Sequence, residues 1–265
     1  MQFNTKKNMA KLKFTKMYVD FQCNNRIYNV PAIFLEVPGC NLCCIRPDGK
    51  TCCNVNTTGK SYNTDDAIQF INEHKEISHI VIKGGEPLMY KNELEKFLDE
   101  CWRDGMFITI YTNGTLPILN PLAYNYRVGL YIVDLTEKNI PEPGTTVKIN
   151  NNEIILGTSD IERMKADNTK WLRELCMYSN DYLLLICEQR AEDFSKKAEE
   201  IVKHISGTDD SFIENFFASH PIKEHICFVG SGWNTWHEQI TRDVALRTGY
   251  KFNKLCVCGD KYSSQ

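Results

Sequence analysis

Short apolar runs rich in β-branched residues recur along this chain, each stopped by glycine, proline or asparagine and followed by a longer segment. Ala32-Ile33-Phe34-Leu35 ends at Pro38-Gly39, and His79-Ile80-Val81-Ile82-Lys83 ends at Gly84-Gly85. Phe107-Ile108-Thr109-Ile110 is turned by Asn113-Gly114, and residues 129–135, 182–187, 225–229 and 254–258 continue the series. Runs of this length and composition read as buried strands. Between them, Thr64-Asp65-Asp66 supplies an N-cap and an acidic first turn for a helix whose apolar face is Ala67, Ile68 and Ile71. Leu94, Phe97, Leu98, Cys101 and Trp102 repeat at three and four, with Gly105 placed as the C′ residue. Helices are also expected over residues 160–177, 191–205 and 235–247. About six rounds of strand and helix imply an α/β fold, a parallel sheet with helices outside, open or curled into a partial barrel.

In either form a ligand site forms at the C-terminal ends of the strands. Four stretches of unusual chemistry fall there: the cysteine loop after Leu35, KGGEP after Ile82, YTNGT after Ile110 and LTEK after Asp134. Residues 1–16 are polar and basic and read as a flexible N-terminal arm. Residues 17–265 read as a single domain, because no linker or repeat divides them. Val147-Lys148-Ile149 and Glu153-Ile154-Ile155-Leu156 flank an Asn-rich turn, a hairpin insert near 145–157.

The formal net charge of -3 gives no basic footprint for nucleic acid. No apolar run reaches the roughly 18–20 residues of a membrane span. The first residues lack an apolar signal segment, so the expected compartment is the reducing cytoplasm, where disulfides are disfavoured. Yet the chain has 12 cysteines. Cys40, Cys43, Cys44, Cys52 and Cys53 crowd between Val37 and Asn54, split by Arg46-Pro47-Asp48-Gly49. A disulfide knot, a zinc site and an iron–sulfur cluster are all open on these residues alone. Structural zinc favours two separated C-x2-C pairs, whereas Cys40 and Cys44 are spaced C-x3-C. Three thiolates on one loop suit a 4Fe–4S cluster with one open iron. Cys101, Cys176, Cys187 and Cys227 sit in apolar patterns and read as core thiols. Cys256-x-Cys258 reads as strand alternation, and Trp233 and Trp236 as core or mouth residues.

GCNLCC, from Gly39, resembles the start of the C-x3-C-x2-C motif of the radical S-adenosylmethionine (radical SAM) family. That resemblance makes Cys40 and Cys44 the first two cluster ligands. Pro47 stands where the third cysteine belongs, so Cys52 or Cys53 supplies it from beyond the turn. GGEP, Gly84 to Pro87, is similar to the family's stretch after strand two that holds the amino group of SAM. Glycines allow close backbone approach, and a carboxylate favours an ammonium. Gly84, Gly85 and Glu86 are therefore implied SAM contacts.

YTNGT, Tyr111 to Thr115, resembles the ETNGT stretch of 7-carboxy-7-deazaguanine synthases, and LTEK their Ser-Pro-Lys. This adds Asn113, Thr136 and Lys138 to the implied SAM contacts. VPAIFLEVPGCNL and RTGYKFNKLCVCGDK extend the likeness over most of residues 17–261. The departures fall on substrate positions. Gln22-Cys23-Asn24 replaces Gln-Gly-Glu, and Glu36 replaces an arginine that holds a substrate carboxylate. Lys83 replaces a threonine and restores a positive charge from another side. Asn54 and Thr57 are candidates for the family's magnesium-associated threonine.

The resemblance implies an incomplete (β/α)6 barrel and an enzyme with a 4Fe–4S cluster, SAM and Mg2+ as cofactors. The expected chemistry is cleavage of SAM to a 5′-deoxyadenosyl radical. The expected reaction is ring contraction of a pterin-like substrate, 6-carboxytetrahydropterin, in queuosine-type 7-deazapurine biosynthesis. A flavodoxin or ferredoxin is the expected reductant, and the chain is expected to form a homodimer with no nucleic-acid or membrane partner. A glycyl-radical activating enzyme and a non-enzymatic zinc or redox module are the alternatives.

Overall fold

A computed structural model describes residues 12–23, 28–42, 60–120, 126, 128–134, 143–149, 152–155, 157–159, 182–186, 196–199, 226–229, 242–247 and 251–253. Eight strands form one sheet in the order β1 (Lys16–Cys23), β2 (Tyr28–Val37), β3 (His79–Gly84), β4 (Phe107–Thr112), β5 (Val128–Asp134), β8 (Tyr182–Ile186), β9 (Ile226–Val229) and β10 (Lys251–Asn253). From β2 onward every neighbouring pair is parallel. The edge strand β1 runs antiparallel to β2, with Met17 opposite Leu35 and Phe21 opposite Pro31. The sheet is thus mixed, where the apolar runs alone implied a purely parallel one. Met17, Val19 and Phe21 alternate as a strand should, but Val19 and Phe21 are exposed, as suits an edge. A separate antiparallel hairpin pairs β6 (Thr146–Ile149) with β7 (Asn152–Ile155) at the Asn-rich turn.

Alternation in β2 and β3 sorts their side chains to two faces. Ile33, Leu35, Ile80 and Ile82 are fully buried on the helix-covered face. Each contributes roughly 1.5–3 kcal/mol by leaving water. Against them pack α1 (Thr64–Glu73), through Ala67 and Ile71, and α2 (Lys91–Cys101), through Leu94, Phe97 and Leu98. On the opposite face Ala32, Phe34 and Val81 form a second, smaller cluster flanked by Tyr18 and Tyr111.

Local signals set the helix ends. Asn63, one residue earlier than expected, caps α1 by accepting from the Asp66 N–H, while Asp66 accepts from the Asn63 N–H. This is a reciprocal capping box. The helix α2 stops at Cys101 because Trp102 is extended. Gly105, expected as the C′ residue, instead serves at φ 83° in the turn before β4, where the Met106 N–H donates to Arg103.

Residues 12–16, expected to belong to the N-terminal arm, lie against the sheet and core. Leu12 and Phe14 are buried in the main core, and Phe14 packs on Phe97 with ring centroids 5.2 Å apart. Phe14 also forms a two-way backbone bridge to Tyr62. Of the later helices, residues 196–199 and 242–247 are described and helical. The last strand is seen at Lys251–Asn253, and the expected run 254–258 lies outside the described residues. No helix among the described residues is long and apolar enough to cross a membrane.

Candidate functional site at the strand ends

The C-terminal ends of β2, β3 and β4 bring three of the four unusual stretches together. After β2 the chain turns through Gly39, which adopts φ 72°, into Cys40. After β3 the backbone runs directly against this turn. The Gly85 N–H donates to the Val37 carbonyl at 2.9 Å, and the Glu86 N–H donates to the Gly39 carbonyl at 2.8 Å. Only glycine fits such an approach. A Cβ on Gly85 would lie 1.5 Å from the Gly39 oxygen, and one on Gly84 would lie 2.5 Å from the Val37 oxygen. Gly84 also takes φ 117°, a conformation side chains rarely adopt. Tyr90 closes the clamp by donating its hydroxyl to the Pro38 carbonyl at 2.8 Å.

Glu86 is fully buried. Its Oε1 accepts from the Leu88 N–H and the Thr112 hydroxyl, both at 2.9 Å, and its Oε2 accepts from the Asn113 N–H at 2.7 Å. The first contact caps the short 3-10 helix Pro87–Tyr90, and the others fix the end of β4. The carboxylate expected to face an ammonium is turned inward. The part of GGEP nearest solvent is the backbone of exposed Gly84 and half-buried Gly85.

Asn113 links these loops to Cys40. Its Nδ2 donates to Asn41 Oδ1 at 2.9 Å and to Cys40 Sγ at 3.6 Å. Its Oδ1 accepts from the Thr115 N–H at 3.0 Å and from the Thr115 hydroxyl at 2.7 Å. Asn41 Nδ2 donates to the Thr115 hydroxyl at 2.7 Å. The Leu42 N–H also donates to Cys40 Sγ, at 3.4 Å. The half-buried Cys40 sulfur thus receives two N–H groups, which fit a metal-bound thiolate, and as a thiol it also donates to Asn41 Oδ1 at 4.0 Å. Among the described residues no group of three or more His, Cys, Asp or Glu could hold a metal. The other expected ligands, Cys44, Cys52 and Cys53, lie outside the described residues, as do Asn54, Thr57, Thr136, Lys138, Trp233, Trp236, Cys256 and Cys258.

Just below the rim, on the face away from the helices, Glu36 and Lys83 are register partners. Lys83 Nζ lies 3.6 Å from Glu36 Oε1, and Lys16 Nζ lies 3.6 Å from Oε2. Tyr18 donates its hydroxyl to Glu36 Oε1 at 3.1 Å. Burial, and next the Glu36 charge, push the Tyr18 phenol pKa up, so it stays a donor. Tyr18 stacks on Phe34 at 5.1 Å, and Lys83 sits over both rings at 5.7 and 5.2 Å. Gln22, buried, donates to the Tyr111 hydroxyl at 3.2 Å. The charge of Glu36, which stands where the resemblance has an arginine, is offset here, because two lysines flank one carboxylate. Tyr18, Asn41, Tyr90 and Thr115 were not singled out by sequence reading. Only the alternation of β1 could have pointed to Tyr18.

Cys101 is a structural thiol: burial pushes its pKa up to about 12, and its sulfur donates to the Leu98 carbonyl.

No protein-family model matches the chain. It is 28% identical over 105 residues to a 7-carboxy-7-deazaguanine synthase of Halobacterium salinarum. It is 30% identical over 107 residues to the enzyme of that name from Aquifex aeolicus. These alignments cover 40% of this chain and 40% and 46% of the two relatives, less than half of either. The structure of QueE from Escherichia coli superposes with a TM-score of 0.50 at 15% identity, over 91% of this chain and 92% of that one. The α/β fold is therefore shared along nearly the whole length, and the sequence likeness to the synthases is confined to part of it.

Proposed function

We propose that this chain is a radical SAM enzyme of the 7-carboxy-7-deazaguanine synthase type, built on a partial barrel. The observation that carries the reading is the clamp: the loop that presents Cys40 is hydrogen-bonded on one side to GGEP and on the other to TNGT. Three stretches that resemble one family by motif are thereby in contact at one rim. The sequence likeness to the synthases supports the same reading.

In this reading Cys40, Cys44 and either Cys52 or Cys53 hold a 4Fe–4S cluster. When bound and reduced by a flavodoxin- or ferredoxin-type carrier, the cluster supplies one electron that cleaves the carbon–sulfur bond of SAM. The protein binds, orients and excludes water. Gly84 and Gly85 offer backbone to the methionyl amino group, and Glu86 holds that backbone in place from behind. Thr136 and Lys138 complete the SAM site. Lys83 and Lys16 flank Glu36 and offset its charge, which eases the approach of the carboxylate of a pterin-like substrate. Tyr18 and Phe34 supply the flat apolar surface beside it. Mg2+ and a homodimer belong to the same reading.

The test is anaerobic reconstitution with iron and sulfide, then incubation with 6-carboxytetrahydropterin, SAM, Mg2+ and dithionite, followed by mass spectrometry. The expected products are 7-carboxy-7-deazaguanine and 5′-deoxyadenosine. Cleavage of SAM without the deazaguanine would remove the assigned reaction and keep the radical SAM class. A protein that binds zinc and no iron would remove both.

A further inference from the structure

The orientation of the Asn113 amide is fixed by a group that can only donate. The Thr115 backbone N–H meets one end of the amide at 3.0 Å, so that end is the oxygen. The other end, which faces Cys40, is therefore the NH2. One of its hydrogens goes to Asn41 Oδ1 at 2.9 Å, leaving the second for Cys40 Sγ at 3.6 Å. The backbone of Asn113 is held in turn by buried Glu86 at 2.7 Å. The N–H therefore points at the sulfur through a rigid support and not by the chance rotamer of a surface side chain. The oxygen accepts two bonds and the nitrogen donates two, so the amide has no capacity left over for a ligand.

From this geometry we infer that Asn113 is a positioning residue that sets the reduction potential of the cluster through an N–H···S hydrogen bond to Cys40. It is not a SAM contact through its side chain. A donor aimed at a ligating sulfur stabilises the more negative, reduced cluster and raises its potential. The inference rests on Cys40 being a cluster ligand.

The experiment is an EPR-monitored redox titration with dithionite, without SAM, on the reconstituted full chain and on Asn113→Ala and Thr115→Val. Asn113→Ala is expected to hold as much iron as the unsubstituted protein and to be about tenfold harder to reduce, a downward shift of about 59 mV for one electron. Thr115→Val keeps the backbone N–H that orients the amide, so its potential is expected to stay unchanged. Equal potentials in the unsubstituted protein and Asn113→Ala would overturn the inference while leaving the cluster reading intact. Failure of the unsubstituted protein to hold iron would overturn both. If Asn113→Ala holds no iron, the unsubstituted protein decides, prepared with asparagine carrying 15N at the side-chain amide. A 15N coupling to the reduced cluster supports the inference, and its absence overturns it.

Discussion

Gly85→Ala tests the clamp at its tightest point. The added Cβ would fall 1.5 Å from the Gly39 oxygen and 2.4 Å from its carbonyl carbon. A relaxed carbon–oxygen contact needs roughly 3.3–3.6 Å, so the two backbones must part by about 2 Å. The hydrogen bonds from Gly85 to Val37, at 2.9 Å, and from Glu86 to Gly39, at 2.8 Å, would both break. Each buried donor left unpaired costs about 1–3 kcal/mol. The expected loss is therefore about 2–6 kcal/mol, or a fall in Tm of about 2–4 °C for each kcal/mol. Gly105→Ala is the control. It also takes a positive φ, 83°, but its Cβ would meet nothing within 4 Å. It should cost only the conformational strain, about 1–2 kcal/mol. Urea unfolding measures both, and iron content after reconstitution reports whether Cys40, adjacent to Gly39, has moved. If Gly85→Ala were no less stable than Gly105→Ala and bound iron normally, the close approach would not be what demands glycine.

Glu86→Gln keeps the shape but turns an NH2 toward either the Asn113 N–H or the Leu88 N–H, where only an acceptor fits. A loss of about 1–3 kcal/mol in urea unfolding is expected, and a neutral result would mean the carboxylate is not the anchor of these loops. His79, buried against Phe107 with Nε2 2.8 Å from Thr109 Oγ1, has its pKa lowered by burial from 6.5 to about 4. The unfolded chain therefore takes the proton first, and the stability tied to neutral His79 is complete above pH 6.5 and lost as pH falls through about 4. Urea midpoints of the unsubstituted protein should fall more steeply between pH 6.5 and 4 than those of His79→Gln; parallel profiles would refute the assignment.

The strands at the centre of the sheet were legible because their apolar runs are continuous and β-branched. His79 to Lys83 and Phe107 to Ile110 lie within a residue or two of the observed elements at both ends. The strand β1 is not legible in the same way, since an edge strand buries only part of itself: Met17, Val19 and Phe21 alternate with no continuous apolar run, and Val19 and Phe21 are exposed. The end of α2 was misplaced because Gly105 carries a turn signal that serves the following turn as readily as a helix cap. The cysteine, GGEP and TNGT stretches could be recognised singly. Their mutual contacts could not, because Asn113 and Cys40 are 73 residues apart and no local pattern encodes an amide facing a sulfur. The inward turn of Glu86 was hidden for the same reason: its donors Thr112 and Asn113 lie at the end of β4 and in the turn after it, 26 and 27 residues on.

The tethers on the Cys40 loop also order events in time. They come from Gly85 and Glu86, from Tyr90 52 residues away, and from Asn113 and Thr115 more than 70 residues away. Those from Gly85, Glu86 and Tyr90 cannot form until β3 lies beside β2, nor those from Asn113 and Thr115 until β4 has joined β3, and such distant pairings are slow steps in folding. During synthesis, the first cysteine of the loop leaves the ribosome well before the distant groups that hold it, from Gly85 to Thr115. The scaffold around that sulfur is consequently a product of the folded half-sheet, complete only after residue 115 has been made.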